Sequence, residues 1–184
     1  MTTYIALLRA VNLGGYGKLS MADFRKLLED LGYRNVQTYI QSGNAVFEAP
    51  GSAGKVSQTI AAALQKLMGM PANVIVHTHD ELDRIIKANP FAAEAAADGT
   101  KVHVAFLVAP APPAAKAGLD RIVTQYPARR DRYHLLGDTL YLHLPDGAAE
   151  TKFYGKSLDR ALGDIPATAR NWNTVLKLHD MSKR

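Results

Sequence analysis

Residues 4–11 are apolar at every position but Arg9. A strand with apolar residues on both faces is one buried on both faces. The segment Asn12-Leu13-Gly14-Gly15-Tyr16-Gly17-Lys18 breaks the run and predicts a glycine-rich loop. Phe24, Leu27, Leu28 and Leu31 then recur at helical spacing, with Ser20 and Asp23 as the cap and Gly32 as the stop. Strands come next over residues 36–41 and 44–48, and Ser42-Gly43 between them leaves room for a tight hairpin turn. Val56, Ile60, Leu64 and Leu67 mark a second helix, Gly69-Met70-Pro71 ends it, and residues 74–77 form a fourth strand. A short helix carrying Leu82, Ile85 and Ile86 runs up to Asn89-Pro90-Phe91.

The alanine-rich stretch 92–99 reads as a linker, and beyond it the pattern recurs. Val102, Val104, Phe106 and Val108 predict a strand, and Leu119, Ile122 and Val123 a helix. Residues 133–136 and 140–144 form a hairpin about Gly137-Asp138. Phe153, Leu158 and Leu162 mark another helix, and Trp172, Val175, Leu176 and His179 a last one. Between these two helices the segment about Asp164-Ile165-Pro166 reads as a short strand or a loop. The element order β-α-β-β-α-β, followed by β-α-β-β-α with a short strand or loop before the last helix, predicts an α+β protein of two tandem ferredoxin-like plaits packed together, with a C-terminal helix. The halves are expected at residues 1–79 and 80–184. Sheet faces this apolar imply either that the halves pack together or that the chain forms a homodimer.

Composition narrows the chemistry. The 184 residues are 47% hydrophobic and 21% charged, as in a globular protein with a real core. There is no cysteine, which removes disulfides, thiolate metal sites and cysteine nucleophiles, and suits a cytoplasmic location. No apolar run is long enough to cross a bilayer, so no membrane partner is expected. The net charge of +5 favours anionic partners, but it is spread along the chain, with one compact cluster at Arg129-Arg130-Asp131-Arg132.

Topology gathers polar residues. In a split β-α-β unit the loop after the first strand and the turn between the second and third lie at one end of the sheet. Arg9, Asn12, Lys18, Gln41, Ser42 and Asn44 therefore share a rim, a set suited to a small anionic or phosphorylated ligand. The same residues are also ordinary turn formers. A helix start at Arg170-Asn171-Trp172-Asn173 adds Arg170, Asn171 and Asn173 to the candidates, since unpaired backbone N–H groups favour anions. There Asn171 also reads as a cap and Trp172 as core.

Specific motifs fail. The P-loop spacing is broken by Leu19 after Lys18, and the dinucleotide pattern by Ser20. Ser42 lies in no nucleophile elbow. His77 and His79 share a face at a strand end, but two ligands make no metal site. His134 and His143 are expected to face each other across their hairpin. Lys152, Lys156 and Arg160 recur at every fourth position and predict one basic helix face. That face carries the alternative reading, a nucleic-acid-binding protein acting through basic loops. A third reading is a non-catalytic interaction protein whose polar segments join its halves. No catalytic residue, metal or cofactor is assigned.

Three segments together carry a resemblance: residues 6–15 (ALLRAVNLGG), 38–47 (TYIQSGNAVF) and 169–175 (ARNWNTV). On these the chain resembles the bacterial domain-of-unknown-function family 1697, over about residues 3–178. Ala10 and Ala45 depart from the family's pattern, at positions away from the polar groups. The resemblance implies an α+β protein with a ferredoxin-like element and brings no activity, cofactor or partner. Its recurrent segments fall on the loop, hairpin and helix start chosen on physical grounds.

Overall fold

The computed structural model describes residues 1–9 and 19–183. The expected sites Asn12 and Lys18 lie outside them. The chain divides into two compact units, one of residues 1–84 and 177–184, the other of residues 85–176.

In the first unit β1 (Thr2–Leu8), β2 (Arg34–Tyr39), β3 (Asn44–Ala49) and β4 (Val74–Thr78) form one sheet in the order β2-β3-β1-β4. Every pairing in it is antiparallel. Helices α1 (Met21–Asp30) and α2 (Ala53–Met68) cover one face. Alternation along the strands decides which side chains meet them. Tyr4, Ala6 and Leu8 of β1, with Ala45 and Phe47 of β3, pack with Phe24 and Leu28 of α1 and Val56, Ile60 and Leu64 of α2. The intervening Ile5, Leu7 and Val46 are equally buried. Ser20 caps α1 by accepting from the Asp23 amide, and Gly32 comes after the helix at φ +81°, a conformation costly for any residue with a Cβ. Helix α3 (His79–Lys87) opens on a reciprocal cap that the sequence reading did not identify. Thr78 N–H donates to Glu81 Oε2 at 2.8 Å, and Glu81 N–H to Thr78 Oγ1 at 3.2 Å.

Stretch 92–99 is not a linker. Residues Ala92–Ala97 form helix α4, because alanine has the highest helix propensity and no side-chain entropy to lose. In the second unit β5 (Val102–Leu107), β6 (Arg132–Leu136), β7 (Thr139–His143) and β8 (Ala167–Asn171) form a second antiparallel sheet in the order β6-β7-β5-β8. Asp164, Ile165 and Pro166 lie outside any strand, and β8 follows them, taking in Arg170 and Asn171 from the expected helix start, so that the last helix begins only at Trp172. Helices α5 (Ala115–Gln125) and α6 (Gly155–Ala161) pack on Ala105, Leu107, Leu140 and Leu142. They approach closely at Gly118, where a Cβ would stand 2.8 Å from Ala161 Cα and 2.9 Å from its carbonyl oxygen. Helix α7 (Trp172–Met181) ends the described chain.

Two side-chain expectations are corrected by register and helix limits. His134 stands opposite Tyr141, and His143 opposite Arg132, so the two imidazoles do not face each other. Lys152 precedes α6 and sits over the Tyr126 ring at 5.4 Å, so only Lys156 and Arg160 of the basic row are on the helix.

Candidate functional site

Antiparallel pairing of β1 and β2 with β3 makes β1 and β2 parallel, so the end of β1 meets the β2–β3 turn. Leu8 N–H donates to Gly43 O at 2.8 Å, and Arg9 N–H to Asn73 O at 3.1 Å. Arg9, Gln41, Ser42 and Asn44 are thereby brought to one end of the sheet. Arg9 is half-buried, Gln41 and Ser42 are exposed, and Asn44 is wholly buried behind them.

The turn is longer than expected. It runs over residues 40–43, and Ile40 takes φ +48° while half exposed. A β-branched residue in left-handed backbone is strained, and something must hold it there. Asn44 supplies the hold. Its Nδ2 donates to Tyr39 O at 3.0 Å and to Ser42 Oγ at 2.8 Å, tying the strand end to the turn. Asn44 therefore shapes the rim from inside, and the groups presented to solvent are Gln41 and Ser42. Asn44→Ala is expected to cost about 2 kcal/mol, because the half-buried Tyr39 carbonyl and the Ser42 hydroxyl both lose their donor, and urea denaturation will read it. A loss under about 0.5 kcal/mol would show that the turn holds itself.

The second unit contains a built-in comparison. At the equivalent corner Leu107 N–H donates to Asp138 O at 2.9 Å, repeating the Leu8–Gly43 bond. There the turn is the two residues Gly137 and Asp138, and the position after the strand is Val108. The architecture thus needs neither a strained four-residue turn nor an arginine at this corner.

Arg170, Asn171 and Asn173 belong to the second unit. Asn171 Oδ1 accepts from Thr174 N–H at 2.9 Å and so caps α7, while Trp172 is buried. Arg170 is buried on β8 and donates through one nitrogen to Thr168 Oγ1 at 2.7 Å and Ala169 O at 2.8 Å. Burial draws its pKa down to about 10, opposed by the nearby Tyr154, so the guanidinium remains charged at neutral pH. Asn173 is exposed and lies against Gly99.

A cluster missed in the sequence lies in the first unit, among residues a hundred positions apart. His79 and His179 stack with centroids 4.4 Å apart. Ser182 Oγ is 2.8 Å from His79 Nδ1 and donates its proton to His179 O at 2.7 Å. With that proton committed to a carbonyl, the hydroxyl is an acceptor for the His79 N–H and is not an activated nucleophile. His179 Nε2 lies 3.4 Å from Asp83, an electrostatic contact without hydrogen-bond alignment. Among the described residues, no group of three histidines or carboxylates has the geometry to hold a metal ion. No described helix is long and apolar enough to cross a membrane.

The family model described as "Protein of unknown function (DUF1697)" matches residues 1–141. The conserved bacterial protein SP0830 from Streptococcus pneumoniae has a similar structure, with a TM-score of 0.70 at 19% identity, over 99% of each chain. No curated protein matches the chain.

Proposed function

The chain belongs to the DUF1697 family, whose description assigns no activity, and from the geometry of its β1 rim we propose that it binds a small anionic, phosphorylated ligand there. Arg9 would supply the charge, and Gln41 and Ser42 the hydrogen bonds that orient the ligand, on a turn held by Asn44. One observation carries this reading: the first unit has a strained four-residue turn and an arginine where the second unit's equivalent corner has a plain two-residue turn and Val108. Strain of this kind persists where the surroundings impose it, and it clusters at binding sites. Such a rim favours positioning and charge stabilisation over covalent attack. We read each unit further as a ferredoxin-like plait, supported by the sheet orders β2-β3-β1-β4 and β6-β7-β5-β8 and by the two helices on one face of each.

A thermal-shift screen against nucleotides, sugar phosphates and other anionic metabolites tests the site. A ligand at about a hundred times its dissociation constant stabilises by about 2.7 kcal/mol, a shift of several degrees at this size. Arg9→Gln should lose the shift, measured from the variant's own unliganded midpoint. A shift of unchanged size in both Arg9→Gln and Ser42→Ala removes the rim as the site.

A further inference from the structure

The second unit carries a pocket of about 190 Å³ in the groove between α5 and α6. Its floor is the Gly118–Ala161 contact, which holds the helices close. Spacing does the rest. On α5, Gly118, Arg121 and Gln125 fall at i, i+3 and i+7, and on α6, Ser157, Arg160 and Ala161 at i, i+3 and i+4, so each set forms a stripe facing the groove. Two exposed guanidiniums, a carboxamide and a hydroxyl therefore border one cavity.

Neither arginine is engaged. Arg25, Arg129, Arg130 and Arg132 each have a carboxylate partner. Among the described residues the guanidiniums of Arg121 and Arg160 make no ion pair and no hydrogen bond. The acidic neighbour on α5, Asp120, is taken by Lys116 at 2.8 Å and by the Tyr133 hydroxyl at 2.5 Å. Two like charges at one pocket repel each other until an anion lies between them. We propose that this pocket is a phosphate site for a small molecule, taking either free orthophosphate or the phosphoryl group of a small phosphomonoester. Arg121 and Arg160 fork onto the phosphoryl oxygens, Gln125 and Ser157 donate to those remaining, and the cavity has room for a body of a few carbons beside the phosphoryl group.

The site lies in the other unit from Arg9 and does not rest on the rim reading. Calorimetric titration at constant ionic strength with inorganic phosphate, glycerol phosphate and glycerol tests it, on wild type, Arg121→Gln, Arg160→Gln and Arg9→Gln. Saturable binding of phosphate or glycerol phosphate is expected, with none of glycerol. Each pocket variant should bind about tenfold more weakly, while Arg9→Gln retains a site of wild-type affinity. Tighter binding of the ester identifies an esterified ligand, and tighter binding of phosphate a free ion; both support the pocket. Binding lost in Arg9→Gln and kept in the two pocket variants overturns the proposal and leaves the rim reading standing. Absence of saturable binding at millimolar phosphate and ester overturns it as well. Arg121 and Arg160 are exposed, so their variants remain folded for the comparison.

Discussion

Phe47→Ala is expected to destabilise the protein by about 4 kcal/mol and to lower its midpoint by about 10 °C. The ring is wholly buried between the β-sheet and its helices. It stacks on Tyr33 with centroids 5.1 Å apart and planes within 5°, and meets Tyr4 at 6.3 Å. Removing it forfeits the transfer energy of the ring and leaves a cavity that sheet and helices cannot both close. The prediction also bears on function. Plait proteins that read single-stranded RNA do so with aromatic rings on the open face of the central strands. Phe47 is on the central strand β3, but it points into the helix layer. If it were a stacking platform, the alanine variant would be nearly as stable as wild type and would lose affinity for oligonucleotides. Urea denaturation and an oligonucleotide titration on the same variant separate the two, and a stability loss below about 1 kcal/mol would sink the core assignment. Phe47→Leu fills most of the space and should recover more than half the loss.

Lowering the pH from neutral to about 4 is expected to remove about 3 kcal/mol of stability through His103 alone. His103 faces the α5–α6 layer from β5, with its ring edge on Tyr154 at 6.1 Å, and its buried Nδ1 has no hydrogen-bond partner. Burial pushes its pKa down to about 4. In the unfolded chain the imidazole titrates near ~6.5. Between those values the unfolded state holds the proton and the native state does not. This contribution is therefore intact above about pH 6.5, is lost as the pH falls towards 4, and changes no further below. His179 is also shifted down, by burial and then by the charge of His79. His143 is shifted down as well, by burial and then by Arg132, so both act in the same direction. His103→Phe keeps a flat ring in the same place and cannot charge. Its stability should stay within about 1.5 kcal/mol of wild type at pH 7 and exceed it clearly at pH 4.5. Parallel pH curves for the two proteins would show that His103 is already solvated in the native state.

The hairpin turn and the helix caps show where local information suffices. Ser20 with Asp23, and Gly32 after the helix, are legible because a cap is a contact between neighbours in the chain. The Thr78–Glu81 cap is equally local and equally readable, since Thr-x-x-Glu stands in the sequence. Spacing places the β2–β3 turn but makes it too short. The strained φ of Ile40 is held by the Asn44 amide, and no propensity scale favours a β-branched residue in that conformation. Stretch 92–99 misleads because surface alanines carry no apolar stripe, although their intrinsic preference is helical.

By itself, the pattern of apolar and polar residues determined the order of strands and helices apart from α4 and β8, the burial of β1 on both faces, and the meeting of the end of β1 with the Ser42 turn. Each of these comes from periodicity, or from the geometry of two strands paired with a third. Only the tertiary structure decided that Asn44 is an internal clamp, that Asn171 is spent on capping α7, and that His79 stacks on His179. It alone placed Arg121 and Arg160 on one groove. Those facts depend on which side chains are buried and which distant residues become neighbours. Burial and long-range contact are properties of the packed chain, and no local spacing encodes them.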